Sequence, residues 1–215
     1  MPHSRLTPFQ QEVLTEFFRH EGRFFLTGGG ALAGFHLGHR ETLDLDLFTT
    51  SATMEDGSRA LTEAAQTLGA SVEALRSSPD FRRTLLTRKQ ESVVVDLVFE
   101  RVPQLVTEKP LVGLIRVDPP EEILANKLCT LLSRAELRDL VDVFALEQAG
   151  YRIEDALPAA SLKDGGLTAA QLAWVLAEVQ IGDDAKLPGG VDVHALRAYL
   201  ASLVARFAAL SRPPP

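Results

Sequence analysis

Phe24-Phe25-Leu26-Thr27-Gly28-Gly29-Gly30-Ala31-Leu32, and shortly after it Leu43-Asp44-Leu45-Asp46-Leu47-Phe48, is the stretch that decides the fold. Phe24-Phe25-Leu26 is a short apolar run stopped by three glycines, which reads as a buried strand. Ala31 to Leu37 then reads as a helix running out of the turn. Glycines let a backbone approach a ligand closely, and a helix start offers N–H groups to phosphate. The competing reading is a tight strand-to-helix turn with no ligand. In the second run, leucines at 43, 45 and 47 alternate with Asp44 and Asp46. Residues two apart on a strand share a face, so the leucines are expected in the core and both carboxylates on the opposite side. Adjacent carboxylates repel, and a hard divalent cation with oxygen ligands relieves that conflict. The competing reading is a solvated strand face.

Outward from this centre the first half alternates helix and strand. Thr7 to Glu21 is expected as a helix, with Val13, Leu14, Phe17 and Phe18 at helical spacing. Ser58 to Leu68 is a second helix, with Gly69 past its end. Ser71–Arg76, Arg82–Arg88 and Val93–Phe99 read as strands, the last two joined by a hairpin at Lys89–Ser92. Leu111 to Val117 is a weaker strand. From Pro119 the pattern becomes helical and stays so, over 121–133, 135–149, 168–179 and 193–210. Pro213-Pro214-Pro215 follows as a frayed tail. The division expected is an α/β domain over 1–118 and a helical domain over 119–215.

The 215 residues are 46% hydrophobic and 24% charged, enough to bury a real core. A net charge of −7 argues against general duplex binding. Arg82, Arg83, Arg88 and Lys89 form a local basic cluster, either a patch or a solvated strand and turn edge. The single cysteine, Cys129, excludes an intrachain disulfide and a multi-thiolate zinc site, and fits a reducing cytoplasm. The start leads into no apolar signal core, and no apolar stretch approaches the roughly 18 residues of a membrane span. The expectation is a soluble cytoplasmic protein with no membrane partner.

Three further groups carry potential chemistry. Asp96 lies inside Val93-Val94-Val95-Asp96-Leu97-Val98-Phe99 and needs a partner there. That partner is a metal shared with Asp44 and Asp46, a buried ion pair, or solvent at a sheet edge. Lys127 falls on the helical arc of Ile123, Leu124, Leu128, Leu131 and Leu132, so it either snorkels outward or meets an anion. Arg138, Asp139 and Asp142 lie off the stripe of Leu137, Leu140, Val141 and Phe144, on a shared polar face, and Arg138 with Asp142 makes a plausible surface pair. Arg40 precedes the two aspartates closely, as a phosphate or carboxylate contact. His36 and His39 are surface histidines or, less simply, metal ligands.

In order and spacing, Gly28-Gly29-Gly30-Ala31-Leu32, Arg40-Glu41-Thr42-Leu43-Asp44-Leu45-Asp46-Leu47-Phe48, Lys127 and Arg138-Asp139-Leu140-Val141-Asp142 together resemble the signature of the AbiEii/AbiGii toxin-type nucleotidyltransferases, of the polymerase-beta-like superfamily. The resemblance spans roughly residues 24 to 145, and Gly30 stands where that signature has Ser or Thr. It implies a mixed sheet flanked by helices (α+β), followed by a C-terminal helical region. It also implies transfer of a nucleoside monophosphate from an NTP to a hydroxyl. Mg²⁺ or Mn²⁺ would sit on Asp44 and Asp46, with Asp96 completing the site or deprotonating the acceptor. The triphosphate would lie along Gly28, Gly29 and Gly30 near Arg40, Lys127 would neutralise its outer phosphates, and Asp139 and Asp142 would line the cleft. tRNA or another RNA is the acceptor suggested for toxin members, and an antitoxin the partner. A small-molecule nucleotidyltransferase and a binding module without turnover are the alternatives.

Overall fold

The structure is a computed structural model that describes residues 4–212, so the triple-proline tail lies outside the described residues. The chain divides into two compact units, Met1–Arg101 with Val106–Pro119, and Val102–Leu105 with Pro120–Pro215.

The first unit opens with helix α1 (Pro8–His20), begun by a capping box in which Thr7 and Gln10 exchange hydrogen bonds. Strand β1 (Phe25–Thr27) runs into α2 (Gly28–Ala31), which continues as one π-helical turn over Leu32–His36. The helical path therefore starts three residues earlier than the apolar pattern suggested. Strand β2 (Asp44–Thr49) follows, then α3 (Met54–Leu68). A second capping box, Thr53 with Asp56, starts α3 ahead of the expected Ser58, and Gly69 closes it at φ +63°. Strands β3 (Ser71–Ser78), β4 (Phe81–Arg88) and β5 (Glu91–Phe99) complete the sheet, with Lys89 (φ 56°) in the β4–β5 turn. The expected weak strand becomes a small hairpin, β6 (Leu111–Val112) and β7 (Ile115–Arg116), turning at Gly113.

The sheet order is β1-β2-β5-β4-β3. β2 and β5 are parallel and the other neighbours antiparallel, so the sheet is mixed. One face packs on α1 and α3. Leu45, Leu47, Leu86, Val95 and Leu97 are fully buried there. Phe17 meets Phe18 and Phe24 edge-on, with centroids 5.5 Å apart. Gly57 of α3 sits so close to Phe24 and Leu97 that an added Cβ would lie 2.6 Å from the Phe24 ring. Leu43, expected in this core, is 87% exposed: it precedes β2 and does not share its alternation.

The second unit is helical, with α4 (Pro120–Ser133), α5 (Leu137–Gln148), α6 (Ile153–Lys163), α7 (Ala169–Ala177) and α8 (Val193–Leu210). Its core holds Ile123, Leu128, Leu131, Val141, Leu146, Leu172, Leu203 and Phe207. α6 was absent from the sequence reading. Pro158 stands inside it, and alanines at 156 and 160 form much of its buried face, so its apolar period is faint. α8 also corrects the sequence reading. It is 18 residues long with mean hydropathy 1.3, enough by length and composition alone for a membrane span. Leu196, Leu200, Leu203 and Phe207 form a buried stripe along it, and Arg197 and Arg206 interrupt its apolar run, the pattern of an amphipathic helix.

Candidate active site

The site is built where β1 ends. Gly28 adopts φ +61°, and a Cβ placed on it would meet Asp46 Oδ2 at 2.6 Å. Conformation and space both demand glycine, and the result is a carboxylate lying directly against the turn. Gly29 is glycine for a different reason: a Cβ there would stand 2.7 Å from Arg40 Nη2 and 3.2 Å from Thr42 Oγ1. Arg40 is buried beside it and donates to the carbonyl of Glu41 at 2.9 Å. At Gly30 an added Cβ would press Leu26 Cδ1 at 3.1 Å and Leu45 Cδ2 at 3.5 Å. The third glycine thus faces the leucines beneath the turn.

Asp44 and Asp46 are half-buried and share one face of β2, opposite the fully buried Leu45 and Leu47. Thr42 Oγ1 donates to Asp44 Oδ1 at 3.1 Å, and Gln10 of α1 fixes the Thr42 carbonyl at 2.9 Å. In the parallel β2–β5 pair Asp46 is in register with Asp96, which places all three aspartates on one face. Asp96 is also the cross-strand partner of Arg83. It accepts both prongs of that guanidinium, from Nε at 2.8 Å and Nη2 at 2.7 Å. Arg83 is held above its ordinary value, first by the hydrogen bonds with Asp96, and the charges of Asp44 and Asp46 add to the effect. Among the described residues no three His, Cys, Asp or Glu side chains are grouped to hold a metal ion. The structure therefore brings Asp44, Asp46 and Asp96 to one face while Asp96 forms the ion pair. Asp44 and Asp46 still suit Mg²⁺, which usually takes one or two carboxylates and fills its remaining positions with phosphate oxygens and water.

The basic cluster of the sequence is not a patch. Alternation along β4 sends Arg82 to Glu55 and Ser58 on α3 and Arg88 to Glu12 on α1, while Arg83 alone of the three meets Asp96. Thr27, at the entrance to the turn, donates to Asp118 Oδ2 at 2.5 Å. Asp118 is fully buried, with Lys109 Nζ at 2.7 Å, and its backbone carbonyl contacts His36 Nε2 at 2.7 Å. This anchor ties both ends of the glycine-turn helix to one residue.

In the second unit Lys127 neither snorkels nor lies against apolar groups alone. Its ammonium is 2.7 Å from Asp139 Oδ1 and 2.6 Å from Asp142 Oδ2, and Arg134 adds a hydrogen bond to Asp139 at 2.9 Å. Burial pushes the lysine down, but the two carboxylates outweigh it and hold it above its ordinary value. Asp139 is likewise opposed by burial, yet is held low by Lys127 and Arg134. The expected polar face of α5 is thus partly internal: Asp139 and Asp142 are fully buried and Arg138 pairs with Glu136.

Thr42, Arg83 and Asp118 were missed as site residues. Thr42 had a signal, a hydroxyl two residues before Asp44. Arg83 stood out only as one of the basic cluster and Asp118 not at all, because cross-strand register and the return of a distant segment leave no local pattern.

A family model described as nucleotidyl transferase AbiEii toxin, type IV toxin–antitoxin system, matches residues 13–185. The chain belongs to the AbiEii family. The match takes in the glycine turn, both aspartates of β2 and the Lys127 cluster of this AbiEii-family chain. Two solved structures share its fold. A candidate nucleotidyltransferase from Helicobacter pylori has TM-score 0.60 and 17% identity, over 92% of this chain and 90% of that one. JHP933 from Helicobacter pylori has TM-score 0.59 and 18% identity, over 92% and 88%. Among curated proteins no match to this AbiEii-family chain is found.

Proposed function

We propose that this protein transfers a nucleoside monophosphate from a nucleoside triphosphate to an acceptor hydroxyl, as the toxin half of a toxin–antitoxin pair in the cytoplasm. The observation that carries the reading is the carboxylate of Asp46 seated against the side-chain-free backbone of Gly28, on the same strand face as Asp44. Family membership supplies the class of reaction. A divalent cation, Mg²⁺ or Mn²⁺, held by Asp44 and Asp46 would supply charge stabilisation to the phosphoryl group being transferred. The guanidinium of Arg40 lies beside Gly29, where it would meet a phosphate brought to the turn. Thr42 orients Asp44, and Asp118 fixes the turn through Thr27. The contribution of these residues is positioning and electrostatics, which suffices for phosphoryl transfer. Lys127, with Asp139 and Asp142, enters the proposal as the second charged cluster of the family signature. RNA, and the 3′ end of tRNA in particular, is the proposed acceptor.

The test is transfer of label from each α-labelled NTP with Mg²⁺, to total RNA, to protein extract or to no added acceptor. Labelled RNA that disappears with Asp46→Ala, together with growth arrest relieved by the same substitution, is expected. A folded protein that labels nothing and binds no nucleotide in a metal-dependent way overturns the proposal. Label in a small-molecule pool would replace the acceptor.

A further inference from the structure

Three carboxylates on one sheet face need positive charge, and the fold provides some of it from β4. Arg83 and Asp96 are direct cross-strand partners, and both oxygens of Asp96 face the guanidinium fork. A bidentate arginine occupies one lone pair on each carboxylate oxygen and offsets the carboxylate's charge, so it competes with a metal ion for Asp96. The pair is also asymmetric. The Asp96 side chain is 7% exposed and fixed within β5, whereas that of Arg83 is 43% exposed and has room to leave. Asp46, in register on the adjacent strand, lies on the far side of Asp96 from Arg83.

We propose that Arg83 is the resident counter-ion of the acidic face, holding Asp96 out of the divalent-cation site so that Asp44 and Asp46 alone bind the cation in the nucleotide-free protein. Asp96 becomes available to the cation only when Arg83 lets go. Arg83 is in this sense a positioning residue, acting through Asp96. The proposal rests on the nucleotidyltransferase reading for the cation site itself, and it assigns a role to a residue which that reading does not use.

The experiment is a calorimetric Mn²⁺ titration of the full chain without nucleotide. Wild type is expected to bind Mn²⁺ in a manner abolished by Asp46→Asn. Arg83→Gln should bind Mn²⁺ about tenfold more tightly, because it removes a competing cation and frees a carboxylate for the metal. Arg83→Gln combined with Asp96→Asn has the formal charge of wild type and should return to wild-type affinity. Arg83→Lys keeps the charge, loses the fork, and should give a smaller gain; thermal melting reports whether each variant is folded. An unchanged affinity in Arg83→Gln, or a gain that survives in the double variant, overturns the proposal while leaving the Asp44–Asp46 site standing. Absence of any Asp46-dependent Mn²⁺ binding in wild type removes both the site and the role given to Arg83.

Discussion

Gly28 carries two constraints that can be separated by comparison with Gly69. Both adopt φ above +60°, but a Cβ at Gly69 meets nothing within 4 Å, whereas at Gly28 it meets Asp46 Oδ2. Left-handed backbone costs an alanine about 1–2 kcal/mol. For a chain of this size that lowers Tm by roughly 2–8 °C. Gly69→Ala is therefore expected to lower Tm and leave nucleotidyl transfer intact. Gly28→Ala should lower Tm by at least as much and also cut transfer on the order of 100-fold, because it displaces Asp46. Equal activity in the two variants would show that the carboxylate need not sit against the turn. Thr42→Val makes a narrower test. It removes the hydroxyl that holds Asp44 and should weaken Mn²⁺ binding about tenfold with little change in Tm. The pairing of Asp44 with Asp46 was legible because side-chain alternation is a local property. The same alternation misled at Leu43, since a period of two does not say where a strand begins. Arg83 was hidden because its partner is set by hairpin register.

Lys127 shows what a helical wheel contains and what it omits. The wheel placed the lysine on the apolar arc of α4, but it could not show that α5 presents Asp139 and Asp142 to that arc. Removing one member of a buried charge cluster leaves the others without compensation and costs about 3–5 kcal/mol. Lys127→Met is expected to lose that much at pH 7, measured by urea denaturation. The pH dependence has a definite sign. Asp139 is held below its ordinary 3.8, so its contribution is present above that value and is lost as pH falls through the lowered one. Lys127 is held above its ordinary 10.5, so its contribution is present below that value and is lost as pH rises through the raised one. The stability gap between wild type and Lys127→Met should be widest between these limits and narrow below pH 3.8. A gap constant down to pH 3 would show that the cluster's contribution is packing. α6, the element the sequence did not reveal, is tied in by Arg206 of α8, which pairs with Glu147 of α5 and Glu154 of α6. That link joins residues far apart in the chain, beyond the reach of any periodicity.

At the scale of the whole molecule, the change from mixed α/β to helical pattern is visible in the sequence, but the path of the chain between the units is not. Val102–Leu105 belongs with the helical unit, Val106–Pro119 with the sheet unit, and the chain then returns to the helices at Pro120. Four residues without a repeating pattern give no sign of this excursion. One contact that links it to the helices is made by Lys163, whose ammonium donates to the Pro103 carbonyl at 2.9 Å and also pairs with Glu122. A helical fragment cut at residue 119, where the composition changes, lacks that carbonyl and leaves a buried cation with one acceptor fewer. A hydrogen bond made by a charged group contributes about 1.5–3 kcal/mol. In a fragment of roughly 100 residues each kilocalorie moves Tm by about 4–8 °C. Residues 102–215 should therefore melt at least 4 °C above residues 119–215 by circular dichroism, although the longer fragment carries a segment that belongs to the other unit. Lys163→Met should bring the two fragments together, because it removes the donor that distinguishes them. If the fragments melt alike before that substitution, Pro103 contributes nothing to the helical unit, and its backbone contact with Lys163 is incidental to the fold.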